Sequence, residues 1–170
     1  MISYLLFLLF FLIIFTAFWG AISAAPYIPT RKKDVERMIS LAEVKASDKV
    51  YDLGCGDGRL IFAAAKIGAQ AIGIEIFFLP YLYARLKSYF NPRTEILFGD
   101  MFNFDISNAD VVFIFLMNKS YQKLAKKLKQ ELKPGSRIVS SCWPIKGWED
   151  KLKKVDKPDN KTLPLYLYII

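Results

Sequence analysis

The densest chemistry in the chain lies in Asp52-Leu53-Gly54-Cys55-Gly56-Asp57-Gly58-Arg59. This segment follows an expected strand, Lys49-Val50-Tyr51, and opens the apolar stretch Leu60-Ile61-Phe62-Ala63-Ala64-Ala65, as a turn between a strand and a helix would. Glycines on such a turn let the backbone approach a ligand closely. The helix behind it offers unpaired N–H groups and the positive end of its dipole, a natural seat for an anionic group such as an amino-acid carboxylate. The spacing is G-x-G-x-G, whereas a dinucleotide pyrophosphate calls for G-x-G-x-x-G. Asp52, two positions before the first glycine, would repel phosphates and attract a cationic amino-acid moiety. A purely structural corner is the competing reading, since glycine also marks ordinary turns.

Two further acids stand at strand ends. Glu75 closes Ala71-Ile72-Gly73-Ile74-Glu75, where a carboxylate can accept both hydroxyls of a ribose. Asp100, in Phe98-Gly99-Asp100-Met101-Phe102, is placed to accept from an adenine amino group, with Met101 flanking the ring. An amino-acid moiety, a ribose and an adenine in that order point to S-adenosylmethionine. Asp105 and Asp110 read as surface or helix-capping carboxylates. Cys55, in the glycine turn, and Cys142, at a strand end, read as buried thiols.

Composition removes much other chemistry. The chain of 170 residues has no histidine and two cysteines, which excludes a Ser-His-Asp triad, a histidine base and a histidine-ligated or cysteine-rich metal site. No metal is expected. Methyl transfer to an amine relies on positioning and on a neutral acceptor, which desolvation favours. Asn118, just after the fourth strand, reads either as an acceptor ligand or as a helix cap. Trp143 and Trp148 read either as an aromatic wall around an alkylammonium group or as packing residues. The net charge of +8 includes six lysines between residues 119 and 133. They read as a solvated helix face or a lipid-headgroup patch. No nucleic-acid-reading motif accompanies them, so nucleic acid is not an expected partner.

The elements that must position these residues alternate. Strands are expected at 49–53, 71–75, 95–98, 110–116, 137–141 and 163–170, and helices at 59–66, 79–89 and 120–132. A further helix, capped by Thr30, is expected to run to Ala42. Residues 146–161 read as loop with one ill-defined element. This alternation predicts an α/β fold, a mostly parallel sheet with helices on both faces.

Residues 1–25 carry no charge and are long enough as a helix to cross about 30 Å of hydrocarbon. Arg31, Lys32 and Lys33 follow this stretch, so a single-pass anchor is expected with its N-terminus outside and the remainder cytoplasmic. A cleaved signal peptide is the alternative, but it calls for a charged start and a shorter apolar core. The expected divisions are 1–25 as a transmembrane anchor, 26–46 as linker and helix, and 47–170 as the cofactor-binding domain.

Across residues 48–142 the chain resembles the class I S-adenosylmethionine-dependent methyltransferases, with residues 52–58, Glu75 and Asp100 matching their first three motifs. A narrower resemblance takes in the apolar N-terminus, Pro26-Tyr27-Ile28-Pro29-Thr30, the core motifs and Ser141-Cys142-Trp143-Pro144 with Trp148. It is similar to the small membrane-anchored protein-lysine methyltransferases whose mitochondrial members modify the ATP synthase c-subunit and the adenine nucleotide carrier. The resemblance implies a Rossmann-like methyltransferase fold behind one transmembrane helix. The implied cofactor ligands are Tyr27, Pro29, Thr30, Asp52, Gly54, Cys55, Gly56, Gly58, Glu75, Asp100 and Met101. Asn118, Trp143 and Pro144 are the implied acceptor-site residues. Ile76-Phe77-Phe78 departs from the short polar Asn-Pro step frequent in relatives. The expected activity is lysine methylation of a protein in or near a membrane. A lipid, quinone or small apolar acceptor, and a non-catalytic cofactor-binding sensor or scaffold, remain as alternatives.

Overall fold

The computed structural model describes residues 2–23 and 28–170, with side chains within the first helix described at residues 2–12, 14 and 15. The order is α1 (Ile2–Ser23), α2 (Lys32–Leu41), β1 (Lys49–Leu53), α3 (Arg59–Ile67), β2 (Gln70–Glu75), α4 (Phe78–Ser88) and β3 (Thr94–Phe98). It continues with β4 (Val111–Ile114), α5 (Tyr121–Glu131), β5 (Arg137–Ser141), β6 (Leu152–Asp156) and β7 (Leu165–Ile169). One sheet holds all seven strands in the order β3-β2-β1-β4-β5-β7-β6. The first five strands in that spatial order pair in parallel, and β7 pairs antiparallel with both β5 and β6.

Residue alternation along the strands splits the core into two layers. Val50, Ala71, Ile96, Phe113 and Val139 pack on one side with Met38 of α2, Ile61 and Ala64 of α3 and Ala84 of α4. Tyr51, Leu53, Ile74, Val112 and Ile138 pack on the other with Leu124 and Leu128 of α5, Trp148 and Tyr168. Chain order reverses between β1 and β4, and ligands of open α/β sheets settle at the C-terminal strand ends beside such a switch point.

Several expectations need correction. Thr30 does not cap α2; Arg31 occupies that position and makes no side-chain cap. The ill-defined element expected in the lysine-rich segment 146–161 is the edge strand β6. Asn118 begins a 3-10 turn, Asn118–Ser120, that precedes α5. The expected membrane anchor and its topology, with the N-terminus outside and a cytoplasmic domain, are also overturned. Among the described residues no helix is long and apolar enough to cross a membrane. The expected cofactor ligand Tyr27 lies outside the described residues, as do residues 1 and 24–26.

Candidate active site

The glycine turn behaves as a rigid corner. Gly54, Gly56 and Gly58 all have positive φ, at 94°, 57° and 78°, a region that side chains rarely adopt. The N–H groups of Gly54 and Cys55 both donate to the Ile74 carbonyl, at 2.9 and 3.0 Å, which staples the corner to β2. Gly73 makes that approach possible. A Cβ there would lie 2.6 Å from the Cys55 sulfur and 2.9 Å from its Cβ.

The Glu75 carboxylate is held from two sides. Oε2 accepts from Gly56 N at 2.7 Å and Oε1 accepts from Phe77 N at 2.7 Å. Burial raises its pKa, and these hydrogen bonds temper the rise. Asp52 is 4% exposed, and among the described residues no hydrogen bond or ion pair reaches its carboxylate. Burial, with Glu75 and Asp57 nearby, pushes its pKa up to about 8. The same surroundings push the Cys55 thiol well above its ordinary value. Asp57 goes the other way, because Arg59 hydrogen-bonds it. Arg59 clasps Asp57 through Nε at 2.8 Å and Nη2 at 2.5 Å, and its Nη1 donates to the Thr30 carbonyl.

These groups surround a cavity of about 410 Å³, within the usual range for a small-molecule site. Asp52, Gly54, Cys55, Gly56, Glu75, Pro29, Thr30 and Trp143 line it together. Gly58, Asp100, Met101, Asn118 and Pro144 are not on its wall. Gly58 caps α3 in the left-handed conformation. Asp100 turns back to accept from Phe102 N at 3.0 Å, and Met101 is buried in the core layer of Leu53 and Ile74. Asn118 and Pro144 are exposed. The two tryptophans part company: Trp143 faces the cavity, while Trp148 is buried edge-to-face on Tyr168.

Other lining residues were not singled out as ligands from sequence: Ile28, Asp57, Arg59, Leu60, Ile76, Phe77, Phe115, Leu116, Met117, Cys142 and Leu163. Cys142 was expected to be a buried thiol. It is instead partly exposed on the cavity wall, at φ 74°. The C-terminal ends of β4 and β5 were the signal available for Phe115–Met117 and Cys142; Leu163 carries no local signal.

The Asp52 carboxylate, unbonded among the described residues, lines the cavity, and a second carboxylate is fixed at the end of β2. This donor set suits a ligand with a cationic amino-acid end and a ribose. The family model described as the ANTKMT methyltransferase domain matches residues 52–152. The chain belongs to the ANTKMT methyltransferase family. It is therefore an S-adenosylmethionine-dependent methyltransferase.

A relative from Saccharolobus islandicus, named protein-lysine N-methyltransferase, is 42% identical over 150 residues, covering 85% of this chain and 93% of that protein. The adenine nucleotide translocase lysine N-methyltransferase of Mus musculus is 32% identical over 130 residues, or 73% of this methyltransferase. The match spans 56% of the length of that mouse protein. Among solved structures, an RNA methyltransferase from Salinibacter ruber in complex with S-adenosyl-L-homocysteine superposes with a TM-score of 0.78 at 35% identity. That match covers 84% of this methyltransferase and 94% of the Salinibacter chain.

Proposed function

We propose that this methyltransferase modifies lysine side chains of a protein, with residues 47–170 as the catalytic unit and residues 28–30 covering its cofactor. The observation that carries the reading is the division of charge within the cavity. Its acids, Asp52, Asp57 and Glu75, belong to β1, the glycine corner and β2, whereas Phe115, Leu116, Met117, Cys142, Trp143 and Leu163 bring no carboxylate. A hydroxyl acceptor would call for a base, and the chain has no histidine. An amine needs only to arrive neutral, and an apolar wall favours that form by withholding solvent.

In this reading Asp52 faces the cationic amino-acid end of the cofactor, Glu75 accepts from its ribose hydroxyls, and Pro29, Thr30, Gly54, Cys55 and Gly56 enclose it. Gly58 acts indirectly by shaping the corner. Asp100 and Met101 fit support of the wall better than direct contact. S-adenosylmethionine supplies a methyl group on a sulfonium sulfur, which is displaced in line. The chain's own part is to exclude water, to align the acceptor nitrogen along that line, and to leave the departing proton to solvent. Trp143 is the acceptor-site residue kept; the exposed Asn118 and Pro144 are not assigned contacts.

A membrane-embedded acceptor was expected because of the anchor and does not follow from the cavity. The name of the Saccharolobus relative supports lysine, and that of the Salinibacter structure makes RNA the rival to exclude. The test supplies methyl-labelled S-adenosylmethionine to the full chain with separated protein, RNA and lipid fractions. Label on lysine in digested protein is the expected result. Label confined to RNA or lipid would overturn the acceptor assignment.

A further inference from the structure

The acceptor-side wall is tied together by a pair of hydroxyls behind it. Tyr121 opens α5 and is buried, and its hydroxyl lies 2.8 Å from Ser140 Oγ of β5. It also donates toward the Ser141 carbonyl, at 3.3 Å. Ser140 Oγ in turn donates to the Trp143 carbonyl at 2.6 Å. Burial pushes the pKa of the Tyr121 phenol up to about 12. It therefore remains a protonated donor across the range in which proteins are handled. One phenol at the start of α5 thus reaches the second half of the wall, the chain after β5.

The second half needs holding. Cys142 adopts φ 74°, a conformation that persists in a non-glycine residue only when its surroundings over-determine it. Three hydrogen bonds from separate places do so. Cys142 N donates to the Pro164 carbonyl at 2.9 Å, Ile145 N donates to the Tyr168 hydroxyl at 2.9 Å, and Ser140 closes the loop onto Trp143. The cofactor side is fastened separately, through Ile74, Gly56 and Glu75.

We propose that Tyr121 and Ser140 are positioning residues of the acceptor site: their hydroxyl relay fixes the turn carrying Cys142 and Trp143, and so sets acceptor binding independently of cofactor binding. The proposal rests on the reading that this side of the cavity receives the acceptor. Neither hydroxyl lines the cavity, so neither is a catalytic residue.

The test uses the full chain with Tyr121→Phe, which keeps the ring and its packing, and Ser140→Ala. Three quantities are measured: the affinity for S-adenosyl-L-homocysteine, the labelling rate of the Cys142 thiol, and KM and kcat for methylation of poly-L-lysine. Both variants are expected to raise KM at least fivefold and to speed Cys142 labelling several-fold, with homocysteine-product affinity within twofold of wild type. Ser140→Thr, which keeps the hydroxyl, restores both. Unchanged thiol labelling in folded Tyr121→Phe would overturn the relay, as would an equal loss of cofactor affinity. If wild type binds S-adenosyl-L-homocysteine but leaves poly-L-lysine unmethylated, the lysine reading fails instead, and thiol labelling still decides the relay.

Discussion

Glu75 accepts the backbone N–H of Gly56 at 2.7 Å, so the end of β2 and the glycine corner form one hydrogen-bonded unit. The carboxylate that meets the ribose in our reading is the same group that sets the shape of the corner. Glu75→Asp keeps the charge but withdraws it by one methylene, out of reach of Gly56 N and Phe77 N together. Hydrogen bonds to a charged group contribute about 1.5–3 kcal/mol, so product affinity should fall about 10- to 100-fold. Calorimetry of Glu75→Asp beside wild type checks this; equal affinities would separate Glu75 from the ligand.

Asp52 couples binding to protons. Between pH 3.8 and about 8 the folded carboxyl holds a proton that the unfolded chain has released. Its contribution to stability is therefore full below pH 3.8 and declines as pH rises to about 8. A cationic ligand reverses the preference and expels that proton. Binding at about pH 6 to 7 is expected to release close to one proton per cofactor, with affinity rising with pH and levelling above about pH 8. Titrations in buffers of different ionisation enthalpy measure the release, and Asp52→Asn should abolish it.

Arg59 connects the segment before the core to the corner, holding Asp57 with two nitrogens and the Thr30 carbonyl with the third. Arg59→Ala is expected to free residues 28–30 from the cavity wall and weaken product binding about fivefold, the equivalent of one hydrogen bond at about 1 kcal/mol. Asp57→Asn, which loosens the guanidinium without removing it, should fall between. A binding constant unchanged in Arg59→Ala would show that the segment stays in place without the arginine.

Gly73→Ala tests the corner from below. The added methyl would meet the Cys55 sulfur at 2.6 Å and Ile96 Cδ1 at 3.0 Å. Overpacking of this kind costs about 1–3 kcal/mol, or roughly 2–4 °C of Tm per kcal/mol in a chain of this size. Thermal denaturation should show that loss, and Cys55→Gly in the same chain should recover part of it.

The legible parts were those with local signals. Strands β1 and β5 have the bounds expected of them, and the glycine corner announced itself through three glycines that all take positive φ. β6 was hidden because Leu152-Lys153-Lys154-Val155-Asp156 is an exposed edge strand, whose lysines suit an edge but mask a strand pattern. Asp100 stood at the expected strand end, yet its carboxylate caps the next turn, a local competition that spacing does not reveal. The two tryptophans were indistinguishable until Tyr168 claimed Trp148 for the core. Thr30 proved to matter through its carbonyl and not as a helix cap, a long-range contact with Arg59 that no local pattern encodes.

The most direct measurement is calorimetric titration of S-adenosyl-L-homocysteine into the full chain and into Asp52→Ala and Glu75→Ala. Saturable binding to wild type is predicted, with the heat lost in both variants while their circular dichroism stays native. Heat undiminished in the two variants, or absent from folded wild type, would contradict the placement of the cofactor beneath the glycine corner.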